Sequence, residues 1–506
     1  MTAGALIQIA ASTSDRMAFL CLNPSITHFK SVYKKHTAFS LEYIIRLPTN
    51  AKDLDFNNDS TVTFDIKRDA DLIKDMYLQI DLPDIYSTNG YNFQWIERIG
   101  EYIIRDVSVT INGTLIDKQY GEWLHIWSEL TLTSEKRYGY DRMIGNTIDI
   151  YDPANAPGNN GIYPDTNAIS PPETPRLIPS IKGRRLTIPL RFWFNNASFT
   201  AFPLIALQYS VFTITFNLRP LKELYTVIDV GNTGYRIRPN NTNHYIGNFL
   251  KTATTESKID LNPNLEINYI FLDKDERKQF AISTHEYLIT QIQRIEDTVS
   301  QNSTNPKKIM LSNTFKKPVT EFIFIIRRSD NEACNKWSNY TNWNSNIAPY
   351  SPSYTNENGP LTTINSANFN YFKDNEILKS ANILINGQPI TQSGKPYLYT
   401  NINNDIEGKD RTFYTNIMNF AANKRIPNQG IYTYSFSLSN NNKQPDGALN
   451  MSNISDVILN LYMNEIPPNT SYSISQSSYD YHVYIYAVNY EALRIIGGIA
   501  SVAYAN

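Results

Sequence analysis

Apolar and polar residues alternate along many segments of this chain with the period of two that β-strands produce. In residues 211–218, Phe212, Ile214, Phe216 and Leu218 occupy alternate positions, with polar residues between them. The same alternation occurs in residues 62–66, 107–111, 434–438 and 459–463. This pattern predicts strands with one face in a core and the other toward solvent.

Two further segments, 322–326 and 483–488, consist of apolar and aromatic residues without interruption. Such runs indicate strands that are buried on both faces. Helical periodicity is rare, and its best example is residues 120–130, where Tyr120, Trp123, Leu124 and Trp127 share one face. We therefore predict an all-β protein with a few short helices in the connecting loops.

Three long segments predict loops. Residues 145–183 are rich in Pro, residues 329–370 are rich in Asn, Ser and Tyr, and residues 229–250 are polar with Gly231 and Gly234. Loops of this length inside a compact domain usually form functional surfaces or contact arms. We place the domain boundary in the third, at 229–250.

An internal repeat supports two similar halves. Residues 109–113 (VTING) are matched by residues 383–387 (ILING), and Asn-Gly is the pair that a type I′ hairpin turn prefers. Such hairpins are common in β proteins, so one shared hairpin is weak evidence for a duplication. A shared order of several elements is stronger evidence. Segments 186–194 and 204–218 correspond in order to 432–438 and 455–463. The predicted division is an N-terminal arm 1–26, a first domain 27–228, a linker 229–250 and a second domain 251–506.

Length and composition narrow the class of protein. A chain of 506 residues is too long for one hydrophobic core. Its 34 Tyr, 23 Phe and 57 Asn suit many strands joined by polar loops. The net charge of −2 argues against a dedicated nucleic-acid binder. Two cysteines give no disulfide framework, and we expect no secretory signal and no spanning helix.

The sequence contains few features that indicate a catalytic or ligand-binding site. The sequence has no phosphate-binding loop, no dinucleotide fingerprint, no zinc-protease motif and no nucleophile elbow, and its six His show no metal-ligand spacing. We predict no catalytic, cofactor-binding or metal-binding residues. Nine N-x-[ST] sequons occur, among which Asn302, Asn339 and Asn469 are the candidate glycosylation sites. Lys30, Lys34 and Lys35 form a basic cluster that could contact a membrane or an acidic protein surface, or simply be solvated.

Seven segments in both halves carry a resemblance to a known family. They include residues 23–40 (NPSITHFKSVYKKHTAFS), 188–194 (IPLRFWF) and 489–496 (NYEALRII), with further matches at 71–83, 203–209, 272–288 and 434–447. In this order they resemble the major capsid proteins of nucleocytoplasmic large DNA viruses, the mimivirus-like members most of all. His28, where an aromatic residue is expected, and Asp446, where Ser is frequent, depart from the pattern.

The resemblance implies two tandem eight-stranded jelly-roll β-sandwiches per chain and a homotrimeric, pseudo-hexagonal capsomer that tiles an icosahedral shell. It implies a structural protein of the virion, synthesised in the host cytoplasm and not an enzyme. The expected partners are itself, neighbouring capsomers, minor capsid proteins and the inner viral membrane, without sequence-specific nucleic acid. Loops 145–183 and 329–370 would form outer towers or clasps between subunits, and the arm 1–26 would lie at the base.

Two other functions remain open at this point. The aromatic content of 12% would also suit a carbohydrate-binding or carbohydrate-active β-sandwich, because aromatic rings stack on sugars. Glycosidases use two carboxylates that face each other across the sugar, and these two residues can be distant in sequence. The lack of a recognisable motif therefore does not exclude glycosidase activity. An attachment spike would need a shaft or receptor head, and the sequence shows no sign of either.

Overall fold

A computed structural model describes residues 2–12, 23–50, 53–87, 90–166, 178–231, 236–300, 306–341, 377–390, 430–438, 444–463 and 480–503. Strands dominate this part of the chain and its helices are short. The prediction of an all-β protein is confirmed.

The strands of the N-terminal half run from Phe39 to Leu272. They are β1 (Phe39–Arg46), β2 (Leu54–Asp55), β3 (Ser60–Ile66), β4 (Leu72–Leu82), β5 (Gln94–Trp95), β6 (Ile104–Ile111), β7 (Thr114–Tyr120), β8 (Arg184–Pro189), β9 (Phe212–Leu218), β10 (Tyr225–Ile228), β11 (Arg236–Ile237), β12 (Lys258–Ile259) and β13 (Asn264–Leu272).

Eight of these strands form a first sandwich. Strands β1, β13, β4 and β8 pair in that order as sheet I, and β3, β9, β6 and β7 pair as sheet II, all antiparallel. Inward side chains of both sheets, such as Ile80, Ile267, Phe64 and Ile214, form one buried core. Because the last strand, β13, lies beside the first, the order is that of a jelly roll.

The C-terminal half contains the remaining described strands. They are β14 (His285–Ser300), β15 (Lys307–Met310), β16 (Pro318–Arg328), β17 (Leu378–Ile385), β18 (Gln388–Pro389), β19 (Ile431–Ser435), β20 (Leu449–Asn450), β21 (Val457–Met463), β22 (Asp480–Ile496) and β23 (Ile499–Val502).

The second sandwich repeats the order of the first. Strands β14, β22, β16 and β19 form sheet III, extended by β20 and β23, and β15, β21, β17 and β18 form sheet IV. A separate core lies between them, with Phe322, Phe324, Leu459 and Ile485 among its members. Each of the eight strands has a counterpart in the first half, so the predicted duplication and the double jelly roll are confirmed.

The two Asn-Gly pairs occupy equivalent hairpins. Residues 112–113 join β6 to β7 and residues 386–387 join β17 to β18, with φ values of 50° and 77° in the first pair and 47° and 78° in the second. Positive φ at both central positions is the signature of the type I′ turn. The Asn N–H donates to a carbonyl just before the neighbouring strand in both sandwiches, at 3.0 Å to Val211 and 2.8 Å to Asp456.

The structure moves the boundary between the halves. The predicted linker 229–250 is followed by β12, which pairs with β2, and by β13, which lies between β1 and β4. Residues 251–272 therefore belong to the first sandwich, and strand pairing passes to sheet III between Leu272 and His285. The predicted first domain, 27–228, is therefore too short, and the predicted second domain, 251–506, is too long. The reason is that a jelly roll returns its last strand to the middle of its first sheet.

Among the described residues, one α-helix precedes β1, and six further α-helices and several 3₁₀ turns connect the strands. The α-helices are α1 (Ala3–Ser12), α2 (Ile99–Tyr102), α3 (Gly121–Thr131), α4 (Ser134–Met143), α5 (Ile148–Tyr151), α6 (Lys274–Ile282) and α7 (Ser329–Ala333). The 3₁₀ turns are Pro153–Asn155, Trp193–Asn195, Ser198–Thr200, Leu204–Ala206, Leu221–Glu223, Thr242–His244, Ile246–Phe249, Leu311–Asn313 and Met451–Asn453. Helix α3 matches the helix predicted at 120–130. Within the described ranges, no helix has the length and apolarity to cross a bilayer.

The N-terminal residues lie outside both cores. Helix α1 exposes Leu6, Ile7 and Ile9, and residues 23–38 are exposed and form neither helix nor strand. The exposed N-terminal segment therefore continues past residue 26, where the predicted arm ends, up to the start of β1. Residues 13–22 lie outside the described chain.

Candidate assembly surfaces and the junction between the sandwiches

Helix α3 of the first half packs on the outer face of sheet III. Its Trp123, Ile126 and Leu130 share a buried cluster with residues of β16 and β22, namely Ile323, Ile325, Tyr484, Tyr486 and Val488. The alternate residues of the same two strands face the core of the second sandwich. Both faces of these strands are therefore buried, as their uninterrupted apolar runs predicted.

A carboxylate in the first turn of α3 anchors this junction. Glu122 is 3% exposed, lies 2.9 Å from Nη2 of Arg327 and accepts a hydrogen bond of 2.8 Å from the Tyr486 hydroxyl. Arg219 and Arg294 approach it to 3.6 and 3.5 Å. Burial alone would raise the pKa of Glu122, but the positive charges of Arg327, Arg219 and Arg294 outweigh it and lower that pKa to about 2. The side chain is therefore ionised inside the protein.

The charge network continues into the second sandwich. Arg327, fully buried, donates from Nη1 to Glu332 at 3.0 Å, and Glu332 in turn lies 2.8 Å from Nδ1 of His482 and accepts from the Tyr484 hydroxyl at 3.0 Å. The hydrogen bond to Glu332 is the main reason that the pKa of His482 is raised. Because removing one member of a buried ion pair leaves its partner uncompensated, this network favours one fixed arrangement of the two sandwiches.

Contacts at two other places join the same halves. The Ile292 N–H of β14 donates to Oδ1 of Asp117 in β7 at 3.2 Å, and burial raises the pKa of Asp117 to about 6. The turn between β22 and β23 reaches back to the first sandwich, where the Tyr209 N–H donates to the Gly498 carbonyl at 3.1 Å. A Cβ at Gly498, whose φ is +84°, would lie 2.9 Å from the Tyr209 ring. Glycine therefore permits this close approach.

Residues 26–47 hold a concentration of exposed apolar side chains. Phe29 is 99% exposed and Tyr33 80%, and further exposed members are Ile26, Val32, Phe39, Leu41, Tyr43, Ile45 and Leu47. The candidate lysines Lys30, Lys34 and Lys35 lie in this segment and are exposed as well. Large apolar groups exposed together mark surfaces that bind another molecule.

The predicted glycosylation sites are not brought together. Asn339 is 1% exposed, and its Oδ1 accepts hydrogen bonds from the N–H and the hydroxyl of Thr341 at 3.0 and 2.7 Å. The folded chain therefore does not present this amide at its surface. Asn302 and Asn469 lie outside the described residues, as do residues 167–177 of the loop 145–183 and residues 342–370 of the loop 329–370.

The described residues hold no group of three His, Cys, Asp or Glu side chains placed to bind a metal ion. His125 of α3 is fully buried and hydrogen-bonded to the Tyr102 hydroxyl at 2.7 Å. Sequence reasoning missed the junction charges, Glu122 and Arg327 above all. Only the uninterrupted apolar runs of β16 and β22 pointed to them, and only indirectly, because strands buried on both faces need a partner that covers the outer face.

Two tandem jelly rolls of identical strand order, locked together by a buried junction, define the class of double jelly-roll capsid proteins. The sequence matches the family described as "Major capsid protein N-terminus" over residues 27–273 and the family described as "Large eukaryotic DNA virus major capsid protein" over residues 276–501. The two matches meet where strand pairing passes from the first sandwich to the second. The chain belongs to the major capsid proteins of large eukaryotic DNA viruses.

Individual relatives agree with this assignment over the full length. The chain is 30% identical to the major capsid protein of Phaeocystis pouchetii virus, with 100% of both chains covered, and 27% identical to probable capsid protein 4 of Acanthamoeba polyphaga mimivirus, covering 98% of this chain and 99% of that one. Its fold is similar to that of PBCV-1 VP54, with a TM-score of 0.65 and 24% identity, over 95% of this chain and 100% of that chain. The protein is thus a structural component of a viral capsid, and the carbohydrate-binding alternative finds no support.

Proposed function

We propose that three copies of this chain form a pseudo-hexagonal capsomer, the repeating block of an icosahedral shell. The duplication carries the proposal. Each chain supplies two sandwiches of the same strand order, so three chains around a three-fold axis place six similar flanks around one block. Heterologous contacts repeated by three-fold rotation close into a ring, and one gene product can then occupy every hexagonal position of a lattice.

A rigid chain is what such a block needs. The junction at Glu122 and the cluster around Trp123 fix the angle between the two sandwiches, because changing that angle would separate buried charges. We infer that the role is structural and not catalytic. The buried charges described here bond one another across the junction and serve cohesion.

The N-terminal segment suits contact with other components beneath the shell. Phe29 and Tyr33 are exposed between the exposed lysines Lys30, Lys34 and Lys35. Aromatic rings beside lysines fit the headgroup region of an anionic membrane or an acidic protein surface. We propose that this segment binds the inner viral membrane or minor capsid proteins in the virion, after synthesis in the host cytoplasm.

The mass of the purified chain in solution tests the capsomer. We expect light scattering to give three times 57.9 kDa, because contacts of an obligate assembly bury roughly 2,000 Å² or more. A monodisperse monomer at micromolar concentration contradicts the proposal. Glycan binding or hydrolysis by the same sample would instead favour a carbohydrate-directed function.

A further inference from the structure

The two sandwiches differ in how the outer faces of their equivalent sheets are covered. In sheet III, helix α3 covers β16 and β22, and the β14 residues Ile292 and Arg294 on that face are only partly exposed. Helix α3 follows β7 of the first sandwich. One sandwich therefore covers the outer face of the next one along the chain.

Sheet I exposes the corresponding edge. Strand β1 is the counterpart of β14, since each is the edge strand beside β13 or β22. The outward residues of β1 and its end form an apolar stripe, each 53–74% exposed: Phe39, Leu41, Tyr43, Ile45 and Leu47. We call these five residues the β1 stripe. In the described part of the chain nothing covers it.

The surroundings of the β1 stripe indicate the kind of partner. Asn268 of β13 donates to the Tyr43 hydroxyl at 3.4 Å and to Asp75 at 3.2 Å, so a polar centre adjoins the stripe. Glu266 lies opposite Ile45, and Asp75 lies on the same face beside Asn268. Acidic groups repel an anionic lipid surface, so the composition favours a protein partner.

We propose that the β1 stripe binds the second sandwich of another copy of the chain and repeats between subunits the junction that exists within one subunit. This inference rests on the trimer proposed above and assigns its contact surface. Each chain has one β1 stripe and one second sandwich. In a closed ring of three chains, the second sandwich of a neighbouring chain therefore covers every stripe. The interface within the chain is the template for the interface between chains.

Substitution of the stripe tests the assignment. Leu41→Asp combined with Tyr43→Asp places two charges where the contact forms, and because both residues are more than half exposed the single chain should still fold. We expect trimer association to weaken at least about thirtyfold, the effect of losing an interface hot spot. Leu115→Asp is the matched control, since Leu115 is 52% exposed on a strand of sheet II against 53% for Leu41. That variant should remain trimeric.

Radical footprinting of the unmodified protein gives an independent reading. In the trimer, Leu41 should be labelled far less than Leu115, although their exposures in the single chain match. Equal labelling, or a double variant that associates like the wild type, overturns the assignment while leaving the trimer intact. A double variant that stays trimeric and loses only vesicle binding overturns it in favour of lipid. A wild-type monomer, by contrast, refutes the capsomer itself.

Discussion

Replacing Glu122 by Gln is the sharpest perturbation of the junction. Gln keeps the size and a hydrogen-bond acceptor for Tyr486, but removes the negative charge among Arg327, Arg219 and Arg294. The difference between the ordinary pKa of 4.5 and the value of about 2 corresponds, at 1.36 kcal/mol per pH unit, to about 3 kcal/mol. This agrees with the cost of breaking a buried ion pair.

Urea denaturation is the suitable assay, because urea does not screen charges. Trp123 and Trp127 stack at a centroid distance of 5.4 Å in the junction, so tryptophan fluorescence reports its opening. We expect Glu122→Gln to lower the free energy of unfolding by about 3 kcal/mol at pH 7. Glu286→Gln is the control, since Glu286 and Arg494 form an exposed pair that should contribute under about 1 kcal/mol.

The contribution of Glu122 to the free energy of unfolding depends on pH in a defined direction. Because folding lowers the pKa of Glu122, its stabilisation is complete above pH 4.5 and is lost as the pH falls through about 2. The difference between wild type and Glu122→Gln should therefore shrink between pH 4.5 and 2. Equal losses in Glu122→Gln and Glu286→Gln, or a difference that does not change over this pH range, would refute the reasoning.

Three further changes have definite expected outcomes. Gly121→Ala should prevent stable folding, because its Cβ would overlap the Ile104 carbonyl oxygen, whereas Gly139→Ala in helix α4, with no atom within 4 Å, should not lower the melting temperature. The gain in the free energy of unfolding from Glu321→Gln, measured in urea, should grow from pH 4.5 to 8. Burial raises the pKa of Glu321 to about 8, so the wild type loses stability over that interval. A gain that stays constant over this pH range would contradict this. Deleting residues 1–26 should leave the trimer's melting temperature nearly unchanged and impair shell assembly or membrane association; loss of soluble trimers would place the arm in the core.

Local patterns predicted the elements of this fold well. Alternation identified strands such as β3, β6, β9 and β21, and the two Asn-Gly pairs identified equivalent hairpins, because turn chemistry and pleat are local properties. The predicted boundary at 229–250 differs from the structure for a non-local reason. Strand β13 follows a long polar stretch yet pairs with β1 and β4, far away in sequence.

The junction could be predicted only in outline. The uninterrupted runs in β16 and β22 indicated that something covers both faces, but not what. Glu122, Arg219 and Arg327 look like surface charges in the sequence, because charged residues are rarely buried unless paired. Their partners lie in strands and helices that only the three-dimensional fold brings together. The burial of Asn339 could not be predicted for the same reason, since burial is a tertiary property.

Electron microscopy of the purified chain tests the central claim most directly. If three double jelly rolls form one block, averaged views down its axis should show a hexagonal outline with three-fold symmetry and six lobes of similar size, two per chain. Particles with two lobes, or rings of any other symmetry, would contradict the account of this protein as a pseudo-hexagonal building block of a capsid.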